Sequence, residues 1–295
     1  MTTLEVKPTG AKTKGGIPAR RGRPTASRVM LYTFLIALLL VFALPLLWAL
    51  SSSFKARGDI FGYPPKPWPS PATLANYRGL LDGNPFWSWL LTSTVVAVIS
   101  TVASVLLCAL AGFAFAKYRF RGKNALFNIM FSSMAVPFAV IVVPLFIMVA
   151  KAHLTTPYFA LVVPWVAPAF GIFMMRQFTE QSIPDALLDA ARVDGCTEFG
   201  LFRRVVLPLL RPALGALGVW SFLNSYNSLL WPLIVVSDPG DYTLPLGIQA
   251  LFGATNRQYD LVLAGSVLAA IPSLVVFFVL RKQLLDGLTA GAVKS

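Results

Sequence analysis

Ser182-Ile-Pro-Asp-Ala-Leu-Leu-Asp-Ala-Ala-Arg-Val-Asp-Gly195 is the stretch on which the reading of this chain turns. It lies within 176–211, the longest run carrying both acids and bases, and uncharged apolar sequence flanks that run on both sides. Ser182 suits a helix cap, Pro184 and Asp185 suit a first turn, and Gly195 suits a helix end. Ala186, Ala190 and Val193 recur at helical spacing and predict a slim face with few large side chains. Thr197 suits the cap of a second short helix through Arg204, which Leu207-Pro208 is expected to break. Two short helices at an angle make a compact knob. Its small side chains allow close insertion into a groove, and its acids can meet basic groups of a partner. From these residues alone, an ordinary amphipathic linker remains the alternative.

Outward from this segment lie six stretches without Asp, Glu, Lys, Arg or His, at 29–50, 90–116, 125–150, 154–175, 212–236 and 261–280. Each is long enough to cross a bilayer, which needs about 20 apolar residues. The expected fold is therefore an all-α membrane protein with six transmembrane helices. Pro137, Pro144, Pro157, Pro164 and Pro168 predict kinks in the third and fourth, because prolines are tolerated where neighbours satisfy the freed carbonyls.

Composition agrees. Of the 295 residues 56% are hydrophobic and only 13% charged, and the mean hydropathy is +0.69. A soluble protein averages about 25% charged residues, and disorder needs the reverse balance. The net charge of +13 would suggest nucleic acid in a soluble protein; here it sets orientation. With a cytoplasmic N-terminus, nineteen of the 25 Lys and Arg fall inside, which sets both termini in the cytoplasm, so the charge need not imply nucleic acid and no nucleic-acid partner is expected. Residues 1–28 read as a flexible basic tail, either lipid-facing or a plain topology determinant. The stretch 29–50 has 22 uncharged residues, longer than the apolar core of a secretory signal, so a retained anchor is expected. An external loop follows at 51–89, then a five-helix core at 90–281 containing the segment 182–208, then a cytoplasmic tail at 282–295.

Catalytic chemistry has little to work with. The only Gly-Lys pair, Gly122-Lys123, has Lys117 where a phosphate-binding loop needs its first glycine. No H-E-x-x-H, G-x-S-x-G or cysteine-ligand spacing occurs. His153 reads as packed or solvated, and a bridge between Cys108 and Cys196 is not expected. No catalytic residue, metal site or bound cofactor is therefore assigned to this chain. An ion-coupled carrier of small polar solutes is the alternative reading, but such carriers usually keep an ionisable group inside the membrane. None stands in the six stretches, although carbonyl-built sodium sites escape that test. A transporter without its own ATPase or ion site must borrow its energy from a partner.

Asp189-Ala190-Ala191-x3-Gly195, followed by Val206-Leu207-Pro208-Leu209, resembles the E-A-A–x3–G–x9–I-x-L-P loop of ABC importer permeases, with the first apolar position nearest Val205. Asp189 stands where that family usually has Glu. Residues 69–77, with Thr73-Leu74-Ala75-Asn76-Tyr77, resemble the outer loop of its sugar-type members, and Tyr242-Thr243-Leu244-Pro245-Leu246-Gly247 resembles their loop before the last span. The end Gly287-Leu288-Thr289-Ala290-Gly291-Ala292-Val293-Lys294 is similar to that of the maltose-transporter-like inner permease. The resemblance implies the type I permease fold and a membrane subunit of a carbohydrate importer. It implies a second permease, two ATPase subunits holding ATP and Mg, and an external solute-binding protein as partners. Asp189, Ala190, Ala191, Asp194, Gly195, Leu207 and Pro208 would then couple to the ATPase, and Gly287, Leu288, Thr289, Ala290, Gly291, Ala292, Val293 and Lys294 would reach toward it.

The fifth stretch offers a candidate pathway lining. Trp220, Asn224, Asn227 and Trp231 are spaced to share one helical face, with Ser221, Ser225 and Ser228 beside them and Tyr226 nearby. Neutral amides and flat rings suit a polyol, whose hydroxyls need hydrogen bonds and whose C–H faces stack. Ser and Asn also join helix to helix in membranes, and Trp also marks the interface, so both readings stand. Where permeases of this family often have Trp-Asn-Glu, this chain has Tyr226-Asn227-Ser228.

Overall fold

A computed structural model of the chain describes residues 26–154, 156–253 and 257–290. Among these, every helix is α, 3-10 or π, and no strand occurs. The α-helices are α1 (Ala26–Ser53), α2 (Ala75–Gly83), α3 (Phe86–Lys117), α4 (Lys123–Ser133), α5 (Phe138–Lys151), α6 (Pro157–Val162) and α7 (Ala169–Ser182). They continue as α8 (Asp185–Val193), α9 (Glu198–Leu201), α10 (Leu207–Leu209), α11 (Arg211–Tyr226), α12 (Leu230–Val235), α13 (Leu244–Ala250) and α14 (Tyr259–Ala290). The basic residues of the expected N-terminal tail before Ala26 lie outside the described residues.

The chain divides into two compact units, Met1–Leu47 and Trp48–Ser295. The first is represented by most of α1, whose Met30, Phe34, Leu39, Val41 and Phe42 are all exposed. A helix apolar on every side belongs in hydrocarbon rather than water. The span Arg28–Ser53 has 26 residues, about 39 Å of helix against a hydrocarbon core of about 30 Å.

In the second unit α3 is central, packing along both α7 and α11, while α11 packs along α14. Small residues permit this. A Cβ on Gly112 of α3 would stand 2.6 Å from Met175 Cβ and 2.7 Å from Arg176 N of α7, so the two backbones meet directly. Without a hydrophobic drive between helices in lipid, such close contact is a main source of association. Ser104 Oγ of α3 lies 3.0 Å from Ser221 Oγ of α11, so part of the expected serine row serves the helix seam.

The six apolar stretches do not form six straight helices. Three helices are long and apolar enough to cross, and up to six spans result if each bent pair counts as one. The third stretch breaks between α4 and α5 with a 110° bend, where Pro137 precedes α5. The fourth bends by 42°, with Pro168 before α7. The first is sharper than a kink, both fall at expected prolines, and Pro144 stays inside the continuous α5. The last stretch carries Pro272 inside an unbroken α14, which runs on through Ala290.

The segment expected as an external loop is folded. Thr73 N donates to Phe54 O at 2.8 Å, and Asn76 Nδ2 donates to both Ser53 O (2.7 Å) and Lys55 O (2.8 Å). Asn76 thus staples α2 to the turn after α1. Lys55 is 2% exposed; its Nζ donates to Ser52 Oγ at 3.2 Å and lies 4.3 Å from the Trp48 ring centroid.

Candidate functional site

The knob is built by punctuation. Ile183, at φ −120° and ψ 103°, ends α7 because a residue before proline is pushed out of the helical region. Ser182 is therefore the last residue of α7, and Pro184 rather than Ser182 occupies the cap of α8. Asp185 stands in the first turn, where the helix dipole favours an acid. Gly195 has φ +81°. There Gly195 N donates to Arg192 O and Cys196 N to Ala191 O, both at 3.0 Å, the paired bonds of a glycine-terminated helix. Thr197 Oγ1 accepts from Gly200 N at 3.1 Å and caps α9 as expected.

The expected break at Leu207-Pro208 does not occur there. Phe202–Val206 forms a π-helical turn, and Leu207 N reaches back to Phe202 O. Proline cannot donate and crowds the carbonyl four residues earlier, so the widened turn before Pro208 lets the helix continue. It ends at Leu209, and the chain bends by 80° into α11.

Leu188 and Ala191 of α8 are buried with Ile183, Leu201, Phe202 and Val206 against Phe113 of α3 and Met175 of α7, and Leu207 packs at the edge of the same cluster. Of the candidate coupling residues, Ala191 and Leu207 thus serve the core. Asp189, Ala190, Asp194, Gly195 and Pro208 point outward. Ala186 and Ala190 are exposed and Val193 is 88% exposed, so the predicted slim face is open; Phe199 of α9 is exposed as well, at 70%.

A charge network absent from the sequence reading ties this knob to α3. Lys117 Nζ donates to Asp185 Oδ1 at 2.7 Å. Arg192 donates from Nη1 to Asp189 Oδ1 and from Nε to Glu198 Oε1, each at 2.9 Å, and Tyr118 Oη donates to Glu198 Oε2. The bond from Lys117 holds the Asp185 carboxyl below the ordinary carboxylate range, with Arg119 and Arg192 adding to it. The Arg192 guanidinium, then the Tyr118 hydroxyl, lower Glu198 likewise. Partial burial, then the bond to Glu198, raises the Tyr118 phenol. Asp189 and Arg192 are three apart, a helical pairing that sequence can show. Tyr118 and Glu198 are eighty residues apart and no periodicity joins them.

The expected pathway face does not form as one face. α11 ends at Tyr226 and α12 begins at Leu230, so Trp231 leaves the register of Trp220, Asn224 and Asn227. Trp231 is 0% exposed and its Nε1 donates to Ala160 O at 2.8 Å. Tyr226 is buried, and its hydroxyl donates to Ala269 O at 3.2 Å. Trp220 packs on Phe170, with ring centroids 4.7 Å apart. Asn224 and Asn227 are exposed, each donating one amide hydrogen to its own helix, at Trp220 O (2.8 Å) and Leu223 O (2.9 Å). The remaining amide N–H and the side-chain oxygen stay available.

Gly287, Leu288, Thr289 and Ala290 belong to α14, whereas Gly291, Ala292, Val293 and Lys294 lie outside the described residues. Cys108 and Cys196 are both free thiols. Among the described residues no group of three His, Cys, Asp or Glu stands close enough to hold a metal ion.

Three long apolar helices and three bent pairs define a polytopic membrane protein. The family described as binding-protein-dependent transport system inner membrane component matches residues 105–285. The chain belongs to that family. It is 34% identical to the arabinooligosaccharides transport system permease protein AraQ of Bacillus subtilis (strain 168), over 90% of this chain and 96% of AraQ. It is 31% identical to the diacetylchitobiose uptake system permease protein DasC of Streptomyces coelicolor, over 92% of this chain and 96% of DasC. Its fold is similar to that of a chain in a bacterial ABC transporter involved in import of the acidic polysaccharide alginate. That match has a TM-score of 0.74 at 21% identity and covers 86% of this chain and 95% of that one.

Proposed function

We propose that this chain is the membrane subunit of an ATP-driven importer for a sugar or sugar derivative. It pairs in the bilayer with a second permease of the same family. Two partner subunits bind ATP and Mg and hydrolyse the nucleotide, and an extracytoplasmic solute-binding protein delivers the sugar. Both termini and the knob are cytoplasmic, in keeping with the nineteen basic residues on that side. The names of AraQ and DasC, both oligosaccharide permeases, support the substrate class.

The observation that carries this reading is the knob. Its slim face at Ala186, Ala190 and Val193 is open, while its opposite face at Leu188 and Ala191 is buried against the spans. A partner groove that grips the open face moves the membrane helices. Asn224 on α11 and Asn227 at its end offer hydrogen bonds to sugar hydroxyls, and Trp220, Tyr226 and Trp231 belong to the walls around the spans. Contact with the ATPase is the role assigned to Gly287–Lys294 by resemblance.

Gly195→Asp, or Asp189→Asn with Asp194→Asn, tests the coupling role in the complete transporter reconstituted in vesicles. ATP-dependent uptake should be lost while the chain remains in the membrane. Uptake equal to that of the unaltered protein would defeat the proposal. Asn227→Leu should lower uptake without weakening ATPase docking, and normal uptake would return Asn227 to helix packing alone.

A further inference from the structure

The knob helix α8 is tied at both of its ends to two consecutive residues, Lys117, the last of α3, and Tyr118, the extended residue that follows it. At its start, Asp185 accepts from Lys117. At its end, Arg192 grips Glu198, whose second oxygen takes the Tyr118 hydroxyl. Asp185 and Arg192 are seven residues apart, so they share one face of α8 about 10 Å apart along its axis. Apolar contact through Leu188 and Ala191 alone is non-directional and leaves a short cylinder free to roll or tilt. Two separated polar ties remove that freedom.

We infer that Lys117, Tyr118, Arg192 and Glu198 are positioning residues that fix α8 at a set angle to α3, so that α3 receives the motion imposed on the knob and passes it to α7 and α11. The covalent routes out of α8 favour this path over themselves. Toward α7 the chain turns through Ile183-Pro184, and toward α11 it passes a π turn and an 80° bend. Both routes contain joints that can absorb displacement. The polar ties reach α3 directly, and α3 runs unbroken for 32 residues against both neighbours. Asp185, Arg192 and Glu198 are 81%, 38% and 52% exposed at their side chains, and ion pairs open to water contribute little stability individually, so changes at these residues cut the ties without unfolding the chain.

This inference rests on the ATP-driven reading above, and its test separates the two. The complete transporter would carry spin labels in a Cys108→Ala, Cys196→Ala background. One pair, Val193→Cys with Leu110→Cys, reports the knob against α3. A second, Val193→Cys with Phe61→Cys, reports the knob against the outer segment. Distances are measured before and after addition of ATP and Mg. The first distance should stay constant with the ties intact and the second should change. Tyr118→Phe keeps the ring contact with Phe113 and removes only the hydroxyl; Asp185→Lys, at a side chain 81% exposed, abolishes the other tie. In each, ATP should now shift the first distance, and the shift of the second should be lost or reduced. Lys117→Asp combined with Asp185→Lys should restore the constant first distance, which a merely structural role would not. A first distance that responds to ATP with the ties intact, that stays constant in the single variants, or that the exchanged pair fails to restore overturns the inference. A second distance that ignores ATP in the unaltered transporter overturns the ATP-driven reading itself.

Discussion

Asn76 shows how one side chain can fix a segment that hydropathy leaves unassigned. Its amide donates to two backbone carbonyls, at Ser53 and Lys55, from a nearly buried position. Asn76→Ala strands both acceptors, which costs about 1–3 kcal/mol each when buried. The midpoint of thermal unfolding in detergent should fall by several degrees, and an unshifted midpoint would show that water replaces the amide. Trp231 makes a converse case. Spacing put it on the pathway only on the assumption of one continuous helix, and the interruption after Tyr226 turns it into the core instead. Pro232 is a local signal of that interruption, because it cannot donate to the carbonyl of Ser228 four residues earlier and crowds it; the bond from Trp231 to Ala160, seventy-one residues away, has no local signature. Trp231→Phe keeps most of the ring and loses that bond, so we expect about 1 kcal/mol less stability and unchanged preference among sugars in uptake assays. A changed preference would return Trp231 to the pathway.

At the scale of elements, the knob was legible where punctuation decides and illegible where tertiary contact does. Gly195, Thr197 and the exposed alanines stand where local rules put them. Ser182 does not cap α8, because the extended residue before Pro184 lets α7 run to its end first. The ties to α3 also have a defined pH dependence. Asp185 and Glu198 have folded-state pKa values below the ordinary range. Their contribution is therefore fully present above about pH 5 and is lost as pH falls through and below about 4. Tyr118, whose pKa is raised, keeps its proton through neutral and mildly alkaline conditions. Hydrogen exchange of the α8 amides, corrected for intrinsic rates, should be constant from about pH 5 to 9 and quicken only below about 4. Loss of protection near pH 6 would contradict this assignment.

For the whole molecule, hydropathy announced six apolar stretches and structure delivered three long helices with three bent pairs. The difference arises because hydropathy counts apolar residues, while continuity of a helix depends on prolines and on what each turn packs against. Orientation is testable at this scale. With Val193→Cys as the only thiol, a membrane-impermeant maleimide should label inverted vesicles and leave intact cells unlabelled. Labelling of intact cells would reverse the assignment of the knob to the cytoplasm. The 110° break between α4 and α5 has a consequence of its own. Its residues Met134 and Val136 are exposed, yet Met134 N, Ala135 N and Val136 N donate to Phe131 O, Ser132 O and Ser133 O, each at 3.1 Å. Lipid tolerates a corner only where amides that leave the helix find partners within the chain. Tight turns of this kind let the chain change direction in apolar surroundings without water as a partner for those amides.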